Sequence, residues 1–310
     1  MIVTATHIQG LKKHITGKVR DVYDLGDSLL IVATDRLSAF DVVLPTGIPD
    51  KGKVLTQISL FWFEMTKDVV ENHVITADTD EILKRIGAAG AEEPEKYRAT
   101  LDGRSMIVAK AKPYPIECVV RGYLSGSAWK EYTALKKTAE PGSEIVLHGV
   151  TLAPDMVESQ KLPKPVFTPS TKESTGHDIN ISAEKAREIV GEQAGKRLEE
   201  ISLSVYQHAS EYAAERGVII ADTKFEIGEL DGRMILIDEA LTPDSSRFWD
   251  ADAYTLGKSQ PSYDKQFVRD YLLTLPWNKT YPGPELPADI VAKTADKYRE
   301  AYRKIVGREL

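Results

Sequence analysis

The chain has almost no cysteine, no long apolar run and no surplus of positive charge, and each absence removes a class of function. Cys118 is the one cysteine among 310 residues, so no internal disulfide can form. Its place in the apolar run IECVV (116–120) makes it a small buried hydrophobe rather than an activated thiol. No stretch approaches the ~18 consecutive apolar residues of a membrane-spanning helix. The start MIVTATHIQGLKKH lacks a cationic head, an apolar core and a small-residue cleavage site, so a reducing cytoplasm is the expected setting. Lys plus Arg number 40 against 47 Asp plus Glu, a net charge of −7. That balance excludes the basic face of a general nucleic-acid binder and still permits a local cationic pocket for a small anion.

What is present is an ordinary globular composition, 42% hydrophobic and 28% charged, long enough for one large domain or two packed lobes. The first ~120 residues read as strands: LLIVA (Leu29–Ala33), SMIVA (Ser105–Ala109) and IECVV are short β-prone runs bounded by turn residues. Asp102-Gly103 before the second run has hairpin-turn chemistry. Ile58, Phe61, Trp62, Met65 and Val69 recur at helical spacing and predict one helix near Thr56–Val70. A lobe of antiparallel sheet plus helix follows from these signals. From Pro141 to Ser182 little periodicity is visible, which predicts a long functional loop. Ser182 then has N-cap chemistry for a helical stretch to about Arg216, broken near Gly191–Gly195 and stopped by Gly217. Leu198, Ile201, Val205, Ala209 and Tyr212 form its core stripe. Two helices, about Tyr263–Leu273 and Ala288–Val306, close the chain.

The chemistry concentrates in VIIADTKFEI (Val218–Ile227) and MILIDE (Met234–Glu239). A period of two puts Asp222, Lys224 and Glu226 on one strand face. Two carboxylates on adjacent strands of one hairpin suit a hard divalent cation that shares oxygen ligands with phosphates. Register constrains this idea. A two-residue turn at Asp231-Gly232 pairs Glu226 with Ile237 and leaves Asp238 on the opposite face. A longer loop with a glycine bulge pairs Lys224 with Asp238 and unites the carboxylates, and that register is the expectation. Lys18 and Arg20, after Gly17, share a face suited to covering phosphates, although no G-x-x-x-x-G-K-[ST] loop is present. Arg121 ends an apolar strand before Ser125, Gly126 and Ser127, which is anion-binding chemistry. Arg247 follows Asp238 by nine residues and offers a second guanidinium. Lys172, Glu173, His177 and Asp178 lie in the long loop, placed for substrate contact by a segment that closes.

Together these segments resemble the SAICAR synthetases (phosphoribosylaminoimidazole-succinocarboxamide synthases) of purine biosynthesis. PIECVVRGYLSGS (115–127) looks like the family's P-x-E-x-x-x-R…G-S motif, and ADTKFEIG (221–228) like its D-x-K-x-E-x-G motif. GKVRDVYD, ATDRLSAFD, TKESTGHD and DEALTPDSSRFWD agree in the right order. Ser125 departs from the family, which more often has Thr or Ala there. The resemblance implies an α+β, two-lobed fold. Residues 1–112 would form a kinase-like ATP-binding lobe of antiparallel sheet, and 113–310 a C-terminal α/β lobe, with the active site in the cleft. It implies an ATP-dependent carbon–nitrogen ligase joining L-aspartate to carboxyaminoimidazole ribonucleotide (CAIR), with ATP as co-substrate and Mg²⁺ as cofactor. Carried over by motif, Lys18, Glu226 and Asp238 are catalytic, with Glu226 and Asp238 on the metal. Lys18 and Arg20 cover the ATP phosphates, while Ala111, Lys112 and Tyr114 offer backbone groups to adenine; Pro113 has no N–H. Arg121, Ser127 and Arg247 hold the ribose phosphate, with Lys172, Asp178 and Lys224 as further substrate contacts. His177 and Asp178 are candidates for the base. The implied partners are small molecules, with neither nucleic acid nor membrane, in a monomer or homodimer. A small-molecule kinase, or a nucleotide-binding module without turnover, are the competing readings; the first lacks an H-R-D loop here.

Overall fold

The computed structural model describes residues 1–172, 178–263 and 266–310; Glu173 and His177 lie outside the described residues. Two antiparallel sheets and the helices packed on them make a two-lobed α+β fold. The first part of the chain runs β1 (Lys12–Thr16), β2 (Arg20–Asp24), β3 (Ser28–Ala33), β4 (Ser38–Ala39), β5 (Val42–Val43), α1 (Lys51–Met65), β6 (Val74–Thr76), α2 (Thr79–Ala88), α3 (Arg98–Leu101) and β7 (Ser105–Ala109). Among the described residues five of these strands form a sheet in the order β1-β2-β3-β7-β6. Leu30, Val32 and Ile107 on its inner face meet Ile82, Leu83 and Ile86 of α2 in one apolar cluster. The strand-dominated expectation for this region therefore missed α2 and α3. Helix α2 is capped by Asp78, whose side chain accepts the Glu81 backbone N–H at 2.9 Å. Asp102-Gly103 is not a hairpin turn. It joins the end of α3 to β7, so turn chemistry was read correctly and its neighbours were not.

The chain continues with β8 (Lys112–Pro113), β9 (Ile116–Tyr123), α4 (Gly126–Thr138), β10 (Ile145–Leu147), β11 (Val150–Leu152), β12 (Lys161–Phe167), β13 (Ser170–Thr171), α5 (Ala183–Val190), α6 (Glu192–Ala214), β14 (Val218–Leu230), β15 (Arg233–Ile237), β16 (Ser246–Asp250), α7 (Gln266–Leu273) and α8 (Ala288–Val306). The second sheet runs β12-β9-β14-β15, with β13 on β9 and with β16 and β8 on β14. The described part of the expected loop, residues 141–172 and 178–182, carries a hairpin and two strands whose residues alternate too weakly to be read from sequence. The break between α5 and α6 falls at Gly191, and Ser182 caps α5 by accepting the Lys185 N–H at 3.1 Å. Leu198, Ile201, Val205 and Ala209 are buried against the sheet in one core that also takes in Trp62 of α1 and Tyr298 of α8. No helix among the described residues is long and apolar enough to cross a membrane.

The β14–β15 hairpin corrects the expected register. Leu230 pairs with Arg233 and Glu226 with Ile237, so the turn has two residues, Asp231 and Gly232. Both have positive φ, 51° and 73°, the mirror-image turn whose twist matches the strands it joins. A bulge would have disturbed that match. The carboxylates are united by another device, described below.

Candidate active site

Strand β14 lies between β9 and β16, and its register puts Asp222 opposite Arg121 on one side and Arg247 on the other. The buried Asp222 carboxylate accepts from Arg121 Nη1 at 3.1 Å and also pairs with the Arg247 guanidinium. Arg121 further donates from Nε to Thr168 Oγ1 at 2.9 Å and from Nη2 to Ser127 Oγ at 3.3 Å. Burial pushes the Arg121 guanidinium below its ordinary pKa, while Asp222 works against that shift. Two guanidiniums thus share one carboxylate, leaving positive charge for an anion. Gly126, at φ 60°, makes room for this arrangement: a Cβ there would lie 2.3 Å from Arg247 Nη2. Arg121, Asp222 and Arg247 line a cavity of about 320 Å³ with Ser127, Asn180, Lys224 and Asp244. Arg121, Ser127 and Arg247, singled out from sequence, are brought together.

A second cavity, of about 680 Å³, is lined by Gly17, Lys18, Arg20, Lys172, Glu226, Asp238 and Glu239, among others. Strand β15 ends at Ile237, and Asp238 takes up φ 65°, a left-handed conformation that Asp tolerates better than most residues. That residue turns the chain, so the Asp238 side chain lines the same cavity as Glu226 despite the two-residue turn. His73, pushed down to about 3 chiefly by burial and then by Arg20, stays neutral and contacts the Asp238 backbone. Asp238 receives Arg20 Nη2 at 2.7 Å, and Glu239 lies 3.5 Å from Arg20 Nη1. Burial, opposed by Arg20 and reinforced by Glu226 and Glu239, lifts Asp238 to about 6. Burial works against the Arg20 cation too, yet the surrounding carboxylates hold its pKa above the ordinary value. Glu226 pairs with Lys172 at 2.5 Å. Lys18 sits in the turn before β2, not on the strand, and pairs with Asp41.

The two cavities share Asp178, Lys224, Asp244, Ser245 and Arg269. Lys224 donates to Glu117 at 2.8 Å; burial opposes its charge, and Glu117 holds its pKa above the usual value. Asp244 is tied back by Lys51 of α1 at 2.6 Å and by Tyr298 Oη of α8 at 2.7 Å. Sequence reasoning passed over Asp244, Glu239 and Arg269. Asp244 and Glu239 lie inside the quoted DEALTPDSSR segment, while nothing around Arg269 marked it. Ala111, Lys112 and Tyr114 line neither cavity. The Tyr114 N–H donates to Ile227 O at 3.0 Å, and its ring lines a separate cavity with Arg197 and Met234. Cys118 is fully buried, and burial lifts its thiol to about 12, as expected of an inert residue.

The chain is similar to known proteins along nearly its whole length. The phosphoribosylaminoimidazole-succinocarboxamide synthase of Thermodesulfovibrio yellowstonii is 55% identical over 302 residues, covering 97% of this chain and 98% of that protein. The synthase of that name from Geobacter sulfurreducens is 50% identical over 308 residues, covering 99% and 98%. Among solved structures, the SAICAR synthase of Saccharomyces cerevisiae, complexed with SAICAR, superposes with a TM-score of 0.88 at 43% identity over 99% of both chains. The family model for SAICAR synthetase matches residues 13–284, and the chain belongs to that family.

Proposed function

We propose that the two joined cavities carry out the family's ligation in two steps, through an acyl phosphate. The enzyme joins L-aspartate to CAIR while ATP becomes ADP and phosphate. The observation that carries the two-step reading is the continuity of the cavities: a paired-guanidinium anion site opens, through Lys224 and Asp178, onto a carboxylate cluster beneath Lys18 and Arg20. The yeast relative was solved with SAICAR bound, a ligand whose phosphate and succinyl ends need a cleft of this extent.

In this reading residues 1–112 form the ATP lobe and 113–310 the substrate lobe. Arg121, Arg247 and Ser127 hold the ribose phosphate. Lys18 and Arg20 lie along the ATP phosphates. Adenine meets backbone groups of Ala111 and Lys112, because the Tyr114 N–H is already given to Ile227. Glu226 and Asp238 line one cavity and offer only carboxylate oxygens, a hard donor type that fits Mg²⁺. Glu226 and Asp238 would hold it, and when bound it neutralises charge on the transferring phosphoryl group.

A CAIR carboxylate oxygen attacks the γ-phosphorus, and ADP leaves with the electron pair of the broken P–O bond. The carboxylate, whose leaving group would otherwise be oxide, now carries phosphate. Lys18 and Arg20 spread the developing charge, and the cleft supplies positioning. The aspartate amine then attacks the activated carbon, its proton passing toward Asp178 at the junction. ADP release measured with CAIR, aspartate and ATP omitted in turn tests the reading. Full release requires all three, and undiminished release with CAIR left out would overturn it.

A further inference from the structure

Arg269, on α7, lines both cleft cavities and a third of about 420 Å³ beside Ser125, Gly126 and Trp129. Its Nε is buried with no hydrogen-bond partner, and the guanidinium makes no ion pair among the described residues. Its Cζ lies 5.9 Å from the Phe40 ring centroid, and Phe40 in turn packs edge-on against Trp277 at 6.2 Å. The ring holds the guanidinium at the junction without neutralising it. Phe40 belongs to ATDRLSAFD, a segment to which the reading above assigns no role.

Each of the other cations of the two cleft cavities has a carboxylate partner, one of them shared by Arg121 and Arg247. Arg121, Arg247, Lys224, Lys172, Arg20 and Lys18 each face a carboxylate of the protein. Arg269 is only half-buried, so its guanidinium reaches into both cavities and is open to an arriving anion. The ribose phosphate has Arg121 and Arg247, and the ATP phosphates have Lys18 and Arg20. The anions still without a partner are the two carboxylates of L-aspartate. Arg269 stands where the cavities meet, which is where the activated carbon of the ribonucleotide must lie.

The geometry points to Arg269 as the residue that receives a carboxylate of the incoming L-aspartate, as a planar two-point pair that sets the amine against the acyl carbon. The assignment rests on the acyl-phosphate reading. In the step it serves, the amine lone pair forms the C–N bond and the C–O bond to the phosphoryl group breaks. Inorganic phosphate leaves with that electron pair, and the nitrogen loses one proton. Arg269 remains charged throughout.

Steady-state kinetics of the full chain carrying Arg269→Met and Arg269→Lys test this. In the Met variant KM for aspartate rises about ten- to hundredfold, while KM for CAIR and for ATP change little. The Lys variant keeps the charge but loses the planar fork, and falls between the two. Hydroxylamine, offered with ATP and CAIR in place of aspartate, intercepts an acyl phosphate without needing a carboxylate clamp. The ratio of aspartate-dependent to hydroxylamine-dependent ADP release therefore drops at least about tenfold in the Met variant. An unchanged aspartate KM in both variants, or a rise in the CAIR KM instead, overturns the assignment. Wild-type enzyme that releases no ADP with hydroxylamine contradicts the acyl phosphate alone, and the KM comparison then still decides Arg269.

Discussion

Asp222 stands directly across from Arg121 in the β14–β9 ladder, and its carboxylate accepts from Arg121 Nη1 at 3.1 Å, with both side chains buried. On the other side of the same carboxylate lies Arg247. Strand register, and not a mobile loop, therefore sets the spacing of the two guanidiniums. Replacing Arg121 by Met removes one of them and leaves Asp222 with a single partner. KM for CAIR should rise about ten- to hundredfold, and thermal unfolding should show a loss of about 1–3 kcal/mol from the weakened buried pair. An unchanged KM for CAIR would count against the phosphate role.

Gly126→Ala tests the same site by steric means. The added methyl meets Arg247 at 2.3 Å, and the residue must hold φ 60°. The expected result is a fold weakened by about 1 kcal/mol, with a CAIR KM that rises more than the ATP KM. Equal effects on both would place Gly126 outside the ribonucleotide site.

Asp238→Asn addresses the carboxylate cluster. Its turnover should fall by about 10²–10³ with circular dichroism unchanged, and near-normal turnover would remove Asp238 from the site. The pH dependence has a definite sign. The folded pKa of Asp238, about 6, lies above the ordinary 3.8. The folded protein therefore binds the proton more tightly, and stability is lost as pH rises from about 4 to about 6. Above that window the ionised carboxylate lowers the stability of the unliganded fold. Without ligands, the Asn variant should melt higher than wild type at pH 8, and the gap should close at pH 4. A variant less stable than wild type at pH 8 would contradict this.

The cap of α2 is a prediction about the fold alone. Asp78→Ala removes the acceptor of the Glu81 N–H and should cost about 0.5–2 kcal/mol in denaturant unfolding, with kinetic constants unchanged. No measurable loss of stability would show that the cap adds nothing to the fold.

What could be read from the sequence followed the strength of each local signal. Helix α8 and the α5–α6 pair were legible because their apolar residues recur at helical spacing and because Ser182, Gly191 and Gly217 mark their ends. Strands β10–β13 were not, since Pro, Ser and Thr in residues 141–171 hide any alternation. The hairpin was placed correctly and its register misjudged. Uniting Glu226 with Asp238 was the right demand, but a left-handed residue at a strand end meets it without a bulge, and no sequence period reports a single φ. Arg121, Ser127 and Arg247 stood out because polar residues at strand ends beside glycine and serine need a reason. Arg269 did not, because an arginine on a short helix has no pattern of its own until the fold shows what it faces.

In the proposed reaction the CAIR carboxylate is phosphorylated before the amine attacks. CAIR labelled with ¹⁸O in that carboxylate, converted to product with unlabelled ATP and aspartate, tests it most directly. One ¹⁸O should appear in the inorganic phosphate released per turnover, seen as a mass or ³¹P shift. Phosphate that carries no label from the carboxylate would contradict it.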